Sequence, residues 1–156
     1  MLPSEDVQRY PRPPALEPVA ARVEIVFAGV TVVSTTDALR VLETHHAPTY
    51  YLPRAAFRAA LRPAGGGGSV CEWKGRARYW TLEAGGRTAA RAAWDYPEPT
   101  RAFAALRDHV AVYAAAMDAC SVGGMPVSPQ PGGFYGGWVT PNLRGTVKGA
   151  PGTEGW

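Results

Sequence analysis

The stretch that decides the fold is SVCEWKGRARYWTLEAGGRTAARAAWDYP, residues 69–97. Two longer runs, SVCEWKGRARYWTLE and RTAARAAWDYP, flank the short segment 83–86. Gly85 and Gly86 in that segment are able to adopt the positive φ angles that a tight hairpin turn requires. The stretch therefore predicts a long β-hairpin.

Strand patterns also precede this hairpin. In ARVEIVF, residues 21–27, apolar residues alternate with polar ones, and Gly29 then turns the chain into TVVST at 31–35. This pattern predicts a second hairpin. LRVLE at 39–43 and TYYLP at 49–53 are further strand candidates.

Two short helices are expected between and after these strands. RAAFRAALR, residues 54–62, has apolar residues at helical spacing and lies between Pro53 and Pro63. EPTRAFAALRDHV, residues 98–110, is the second candidate, while GGGG at 65–68 is a flexible connector. The fold class that follows is mainly β with short helices.

Length and composition indicate one domain. The chain has 156 residues and 16.6 kDa, and its 18 glycines and 15 prolines favour many turns over long helices. Residues 1–21 carry five prolines and predict an extended N-terminal arm, either lying on the domain or disordered beside it. Residues 22–156 are expected to form the single globular domain.

Charge and cysteine content disfavour several classes of protein. The net charge of +3 comes from scattered basic residues, and only Lys74 to Arg78 approximates the basic and aromatic pattern of a nucleic-acid binder. No apolar run is long enough to cross a membrane, and the first residues do not resemble a signal peptide. Two cysteines do not make a disulfide framework. We therefore expect a soluble, cytoplasmic protein without a nucleic-acid or membrane partner.

The segment SVCEWKGRARYW, residues 69–80, gathers side chains with chemical potential. If the segment is one regular strand, Cys71 and Trp73 share one face and Lys74 lies on the other. Cys71 and Lys74 would then act on the same ligand only if a bulge at Gly75 re-aimed one of them.

Cys71 has two interpretations, and the sequence leaves both open. It is a small buried core residue, as free cysteines often are, or it is a nucleophile activated by a nearby histidine. His45 and His46 are the candidate bases, and only one of these neighbours is able to face Cys71 if the segment is extended. Glu43 either orients such a histidine or ends a strand at the surface.

Large aromatic side chains recur beside glycines and form a second constellation. They offer flat apolar faces with a hydrogen-bonding edge, which suits a small-molecule pocket, but a β-rich core also needs such residues. Lys74 and Lys148 each precede a glycine and either attract an anion or lie on the surface. The aromatic set is Tyr50, Tyr51, Trp73, Tyr79, Trp94, Tyr96, Phe134, Tyr135 and Trp138.

Several motifs occur in a fixed order: LETHHAPTYYLPR, CEWKGRARYW, AAWDYPEP, FYGGW and KGAPGTEGW. Through them, the chain from Arg22 to Trp156 resembles the bacterial domain-of-unknown-function family 427. The resemblance implies a compact, twisted two-sheet domain of the β-tent or Mss4-like kind. Relatives of that fold often hold zinc with two Cys-x-x-Cys pairs, and this chain has neither pair, so no zinc site is expected.

Three functions remain open at this point. The first is an uncharacterised bacterial protein that binds or transforms a small molecule in a pocket lined by cysteine, aromatic and glycine residues. The second is a non-catalytic module for partner binding or homodimerisation. The third follows from the cataloguing of the family as nucleotidyltransferase-like, although the chain has no Asp-x-Asp pair for Mg²⁺ and no phosphate-binding loop pattern.

The residues that the first function needs can be named. If the protein is an enzyme, Cys71 is the nucleophile, His45 or His46 the base, and Lys74 or Lys148 the electrostatic partner. The aromatic set named above would bind the ligand together with Lys148. The identity of the ligand and of any cofactor is left open, and no metal site is predicted.

Overall fold

Residues 2–156 are described by a computed structural model, in which most of the regular structure is β-strand. The four helical segments are short 3₁₀ turns at Val7–Arg9, Arg54–Ala56, Arg101–Leu106 and Ala114–Ala116. The strands are β1 Glu5–Asp6, β2 Ala15–Val19, β3 Val23–Phe27, β4 Val30–Thr35, β5 Ala38–Leu42, β6 Thr49–Pro53, β7 Ala60–Pro63, β8 Ser69–Cys71, β9 Gly75–Ala84, β10 Arg87–Asp95, β11 His109–Val112, β12 Ala119–Val122, β13 Met125–Pro126, β14 Ser128–Pro129, β15 Trp138–Val139 and β16 Leu143–Arg144.

Two antiparallel sheets dominate this architecture. The larger follows the order β2-β5-β6-β11-β10-β9-β7, with β8 also paired to β9, and the smaller follows β13-β12-β3-β4. Two further strand pairs are small: β14 with β15 is antiparallel, and β1 with β16 is parallel. The expected mainly β fold with short helices is confirmed.

The main core contains residues of both larger sheets. In β3 the alternation seen in the sequence buries Val23, Ile25 and Phe27, and these belong to the same apolar cluster as Leu52 and Leu82 of the larger sheet. Each such fully buried side chain contributes about 1.5–3 kcal/mol through removal of its apolar surface from water. The core therefore fixes which face of each larger-sheet strand turns inward.

The opposite face of the larger sheet carries a second buried cluster. Because successive side chains of a strand point to opposite faces, Tyr50 and Leu52 join the main core while Tyr51 between them joins the second cluster. The same alternation places Ala93 in the main core and Trp94 in the second cluster. This second face carries the candidate site.

Both predicted hairpins are present. β9 and β10 are joined by Gly85 and Gly86, whose φ angles are +57° and +77°, and β3 and β4 are joined by Ala28 and Gly29. A register shift between Ala89 and Ala93 makes a bulge in β10. Local turn chemistry therefore determined these two connections.

The segment 69–80 is not one regular strand. It folds back on itself as a tight hairpin in which Cys71 of β8 is opposite Gly75 of β9. The reversal uses the φ of +114° at Gly75, and Thr100 holds the turn because its hydroxyl donates to the carbonyl of Trp73 at 2.6 Å. The strict alternation of faces between Cys71 and Lys74 consequently does not apply.

The predicted helix at 54–62 is wrong. Only Arg54–Ala56 is helical, and Ala60–Pro63 is strand β7, paired with β9. The amide of Arg58 donates to the carbonyl of Val32 at 2.7 Å, so the backbone is used for contacts between distant segments. Helical spacing of alanines is a weak preference that such pairing overrides.

The second predicted helix, at 98–110, is reduced to the 3₁₀ turn Arg101–Leu106. It is interrupted at Phe103, which has the non-helical angles φ −117° and ψ 23°. Phe103 and Leu106 are buried in the second cluster, and His109 already begins β11. Burial of these two apolar side chains therefore shapes the segment more than helical hydrogen bonding does.

The proline-rich segment at 1–21, as far as it is described from residue 2, lies on the sheets. β2 pairs with β5, and Val7 is fully buried. The guanidinium of Arg40 donates to Glu5 at 2.9 Å and to Glu17 at 2.7 Å, which ties both ends of the segment to β5. The division into an arm at 1–21 and a domain at 22–156 stays a prediction.

Candidate functional site

A cleft of about 360 Å³ opens on the second face of the larger sheet. Five separate parts of the chain line it: the segment 41–51, the β8–β9 hairpin, β10 with the residue that follows it, Tyr113 after β11, and the loop 134–137. The residues from the predicted set that line this cleft are His46, Tyr51, Cys71, Trp73, Lys74, Tyr79, Trp94, Tyr96, Phe134 and Tyr135. The tight β8–β9 turn is what brings Cys71 and Lys74 to the same cleft.

The aromatic wall is held by strand pairing and by a glycine. Trp94 of β10 is directly opposite Tyr79 of β9 in the ladder. The loop 134–137 lies on the ring of Trp94, because a Cβ added at Gly136 would be only 2.1 Å from its Cη2 atom. Glycine here permits close approach of backbone to a side chain. The loop and the sheet together therefore form two sides of the cleft.

Tyr51 is the most unusual polar group of the cleft. Its side chain is 1% exposed, and its buried hydroxyl has no hydrogen-bond partner among residues 2–156. Burial raises the pKa of Tyr51, so the hydroxyl keeps its proton at neutral pH. An unpaired buried hydroxyl costs about 1–3 kcal/mol, so this position carries a free-energy cost in the folded protein.

His46 is held by a buried glutamine that the sequence did not indicate. Gln130 is 2% exposed, and its Nε2 lies 3.2 Å from Nδ1 of His46. The same amide accepts from the Ala47 N–H at 3.1 Å and donates to the Lys148 carbonyl at 2.9 Å. Burial lowers the pKa of His46, and Lys148, Arg12 and Lys74 lower it further against the opposing charge of Glu43. His46 is therefore a neutral, oriented imidazole near pH 7.

Of the two lysines of the chain, Lys74 lines the cleft and Lys148 lies beside it. The Nζ of Lys74 is 5.6 Å from the ring centre of Tyr96, and the Nζ of Lys148 is 5.6 Å from that of Tyr135. Lys148 lines a shallower neighbouring depression, which shares Tyr135 with the cleft. The positive charges expected from the sequence thus approach the same region from two directions.

Three residues of the predicted set lie away from the cleft. Tyr50 and Trp138 pack together in the main core, with ring centres 5.3 Å apart, and the Trp138 indole donates to the Val112 carbonyl at 3.0 Å. The ring of His45 lies 4.4 Å from that of Trp156. His45 has a φ of +68°, in the left-handed region that residues other than glycine rarely adopt. Of the two neighbouring histidines, it is His46 that lines the cleft.

Sequence reasoning did not select two further residues of this region. Tyr113 has its ring 4.5 Å from that of Trp94, and its hydroxyl donates to the Phe134 carbonyl at 3.2 Å. Burial raises the pKa of Tyr113 to about 12, with Tyr79 adding to the shift. Gln130 lies in a serine-, proline- and glycine-rich segment that is typical of a loop. The only available signal was the position of Tyr113 at the end of a strand-like run.

The chain is a small, mainly antiparallel β protein with an aromatic-walled cleft on its larger sheet. A family model described as "Domain of unknown function (DUF427)" matches residues 15–123, which is more than half of the chain. The chain belongs to this family. No curated protein matches the chain in sequence. Residues 124–156, which supply Gln130 and the loop 134–137, lie outside the matched region.

Within residues 2–156, no three histidine, cysteine, aspartate or glutamate side chains are grouped so that they could hold a metal ion. The same residues contain no helix whose length and apolar character would let it span a membrane.

Proposed function

We propose that this protein binds a small, flat and partly polar molecule in the cleft. The observation that carries the proposal is the buried Tyr51 hydroxyl, which has no hydrogen-bond partner among residues 2–156 and belongs to a residue that lines a cleft walled by aromatic rings. A ligand acceptor or donor at this point would remove the cost of the unpaired hydroxyl. Aromatic faces around it, such as those of Trp73 and Trp94, suit a planar partner.

The mouth of the cleft supports the same proposal. Val70 and Phe134 line it, and each is 68% exposed although both are apolar. Both stand next to glycine-rich sequence, at 65–68 and 132–133, which allows their backbones to adjust. Closure of these side chains over the apolar part of a ligand would bury them.

A ligand screen tests the proposal directly. Purified protein is melted in the presence of planar heterocycles, nucleotides, amino acids, sugars and cofactors. A true ligand at about a hundred times its dissociation constant adds about 2.7 kcal/mol, which for a domain of this size raises the melting temperature by about 5–10 °C. Binding is then confirmed through quenching of the tryptophans in the cleft. A broad screen without any such hit would contradict the proposal.

We propose further that, if the bound molecule is transformed, Cys71 is the nucleophile and Lys74 its electrostatic partner. Both line the cleft, and the second cysteine provides a matched control, since Cys120 is buried and burial raises the pKa of its thiol to about 12. Native iodoacetamide should label Cys71 and leave Cys120 unmodified. Equal protection of both thiols would contradict a catalytic Cys71.

The second candidate function is a partner-binding or homodimerisation surface. The exposed side chains of Val70 and Phe134 favour it, because exposed apolar residues close together often belong to interfaces. Analytical ultracentrifugation of the wild type and of a Val70→Ser, Phe134→Ser double variant distinguishes this function. A dimer that the double variant abolishes would support an interface, and a monomer at all concentrations would exclude self-association.

The remaining alternatives are a location in the bacterial cytoplasm and a nucleotidyltransferase-like activity. The cytoplasmic location rests on the cysteine content and on the first residues, whereas the bacterial origin and the activity rest on the family resemblance. All three stay predictions. Nucleotidyl transfer predicts that Mg²⁺ with a nucleoside triphosphate raises the melting temperature, and absence of a shift at millimolar nucleotide would argue against it.

A further inference from the structure

The orientation of Gln130 determines which nitrogen of His46 carries the proton. The Ala47 N–H donates to one end of the Gln130 amide at 3.1 Å, and the other end donates to the Lys148 carbonyl at 2.9 Å. A backbone N–H only donates and a carbonyl only accepts, so the oxygen and nitrogen of the amide are assigned by these two partners. The NH₂ group is therefore the end that meets His46.

An NH₂ group donates only, so Nδ1 of His46 must accept its hydrogen at 3.2 Å. The neutral ring consequently carries its proton on Nε2. That atom lies 4.0 Å from a carboxylate oxygen of Glu43, which is beyond hydrogen-bonding distance, and both residues line the cleft. His46 thus offers the cleft a hydrogen-bond donor and has no free lone pair with which to take a proton from Cys71.

The basic residues of the chain are distributed unusually around this donor. The sequence has 16 basic residues, of which 14 are arginines and only Lys74 and Lys148 are lysines. Lys74 lines the same cleft as His46, and the backbone carbonyl of Lys148 accepts from the Gln130 amide that also contacts His46. Each ammonium also lies over a tyrosine ring that lines the cleft, Tyr96 for Lys74 and Tyr135 for Lys148. Flexible ammonium groups are suited to meet an anionic ligand from two sides.

Three side-chain carboxylates near the cleft oppose this positive charge. One of them, Glu154, lines the neighbouring depression with Lys148 but is exposed, so solvent screens its charge. Glu43 is compensated by Arg12, whose guanidinium is 3.2 Å from it. Glu72 also lines the cleft, but its residue is exposed, so solvent screens its charge. The lysine charges are consequently the ones left for a ligand at the His46 end.

We propose that the ligand of the cleft carries a carboxylate or phosphate group, which accepts a hydrogen bond from Nε2 of neutral His46 and lies between Lys74 and Lys148. The apolar part of the ligand then lies against Trp94 and the other rings, within reach of the Tyr51 hydroxyl. This inference rests on the proposed small-molecule site and names the chemical class of its ligand. Gln130 is a positioning residue, because it acts only by orienting His46.

Matched aromatic probes test the anionic group. Naphthoate, naphthyl phosphate and neutral naphthamide share one ring system and differ in the polar group, and tryptophan fluorescence in the cleft reports their binding. We expect the affinity of the tighter-binding anion to be about tenfold or more higher than that of naphthamide. Added salt should weaken the binding of the two anions and leave the binding of naphthamide unchanged. The comparison of carboxylate with phosphate identifies which anion the site prefers.

Charge-removing variants locate the effect. Lys74→Met and Lys148→Met should each weaken binding of the preferred anion about tenfold and leave naphthamide binding unchanged. The control is Arg76→Met, which removes the same charge from an exposed residue of β9 that does not line the cleft. Because the chain has only two lysines, reductive methylation followed by mass spectrometry should also show both protected by the bound anion.

The tautomer of His46 is measured separately by nitrogen-15 NMR, and the chain has only three histidines to assign. At neutral pH we expect a protonated Nε2 and an accepting Nδ1 for His46. Gln130→Glu should raise the pKa of His46, since a carboxylate would then face Nδ1, and should alter anion binding without changing that of naphthamide. A proton on Nδ1 in the wild type would overturn the proposed donor.

The outcomes separate this inference from the broader one. Equal affinity of naphthamide and both anions would overturn the anionic group and leave small-molecule binding intact. Unchanged anion binding in both lysine variants would likewise overturn it. Failure of every probe, together with an empty ligand screen, would contradict the small-molecule site itself.

Discussion

Replacement of Tyr51 by phenylalanine should stabilise the free protein while weakening its binding to ligand. The side chain is fully buried, and its hydroxyl has no partner among residues 2–156, so the wild type carries the cost of an unpaired polar group. Removing that oxygen without changing the ring should raise the free energy of unfolding by about 1–2 kcal/mol. For a chain of this length, each kcal/mol raises the melting temperature by about 2–4 °C.

The ligand affinity should move in the opposite direction. Loss of one hydrogen bond to the ligand should reduce the binding free energy by about 0.5–1.5 kcal/mol, which raises the dissociation constant about two- to twelvefold. Urea unfolding measures the first effect, and fluorescence titration with a hit from the screen measures the second. Opposite signs of the two effects are typical of a residue kept for binding at a cost in stability.

Tyr50→Phe is the matched control for this experiment. Tyr50 precedes Tyr51 on the same strand but points into the main core against Trp138, so the variant should leave ligand affinity unchanged. If Tyr51→Phe unfolds at a lower urea concentration than the wild type, the hydroxyl already has a partner in the free protein. The reasoning from an unpaired group would then be refuted.

Three further predictions concern stability and the site. Asp95→Ala should lower the free energy of unfolding by about 2–3 kcal/mol, because the buried carboxylate accepts hydrogen bonds from Arg78 at 2.9 Å and from the Trp80 indole at 2.9 Å. Glu154 is exposed, so Glu154→Ala should have little effect in the same urea titration. The free energy of unfolding should fall as pH drops below 6.5, because burial lowers the pKa of His46 in the folded protein and the unfolded chain therefore binds the proton first. His46→Gln should make the free energy of unfolding less dependent on pH in this range. An unchanged pH dependence would contradict the lowered pKa of His46. Gly136→Ala should lower the free energy of unfolding by about 1–3 kcal/mol and abolish ligand binding, because the added Cβ would overlap the ring of Trp94. A Cβ at Gly155 would meet open space, so Gly155→Ala should match the wild type in both stability and ligand affinity.

The sequence predicted the parts of the fold that depend on neighbouring residues. The turn at Gly85 and Gly86 was predictable because the two glycines alone permit its geometry. The reversal between Cys71 and Gly75 was not, because Thr100, which holds it, is 27 residues from Trp73 along the chain. The alanine-rich segment 54–62 was misread as a helix for the same reason, since a distant strand edge decides its conformation.

The candidate site divides in a similar way. Cys71, His46 and Lys74 could be selected from the sequence because their side chains are typical of catalytic and binding sites. Strand alternation shows that Tyr50 and Tyr51 point to opposite faces, but which of them lines the cleft became clear only once the core face of the strand was known. Gln130 could not be selected, because its amide acquires meaning only through a hydrogen bond to His46, 84 residues earlier in the chain. Residues that orient others have no signature in their own sequence neighbourhood.

The loop 134–137 and Gln130 are also the last parts of the cleft to be synthesised, and this order has a consequence for folding in the cell. While the ribosome is still adding residues beyond 123, all strands of the two larger sheets except β13 are able to pair, but Trp94 and Tyr113 have no covering loop and His46 has no Gln130. The nascent protein therefore shows a bare aromatic face to its surroundings until the final segment arrives, which is the stage at which chaperone capture or aggregation would compete with folding. The parallel pair of Glu5 with Leu143 also waits for this segment, because its two strands come from widely separated parts of the sequence.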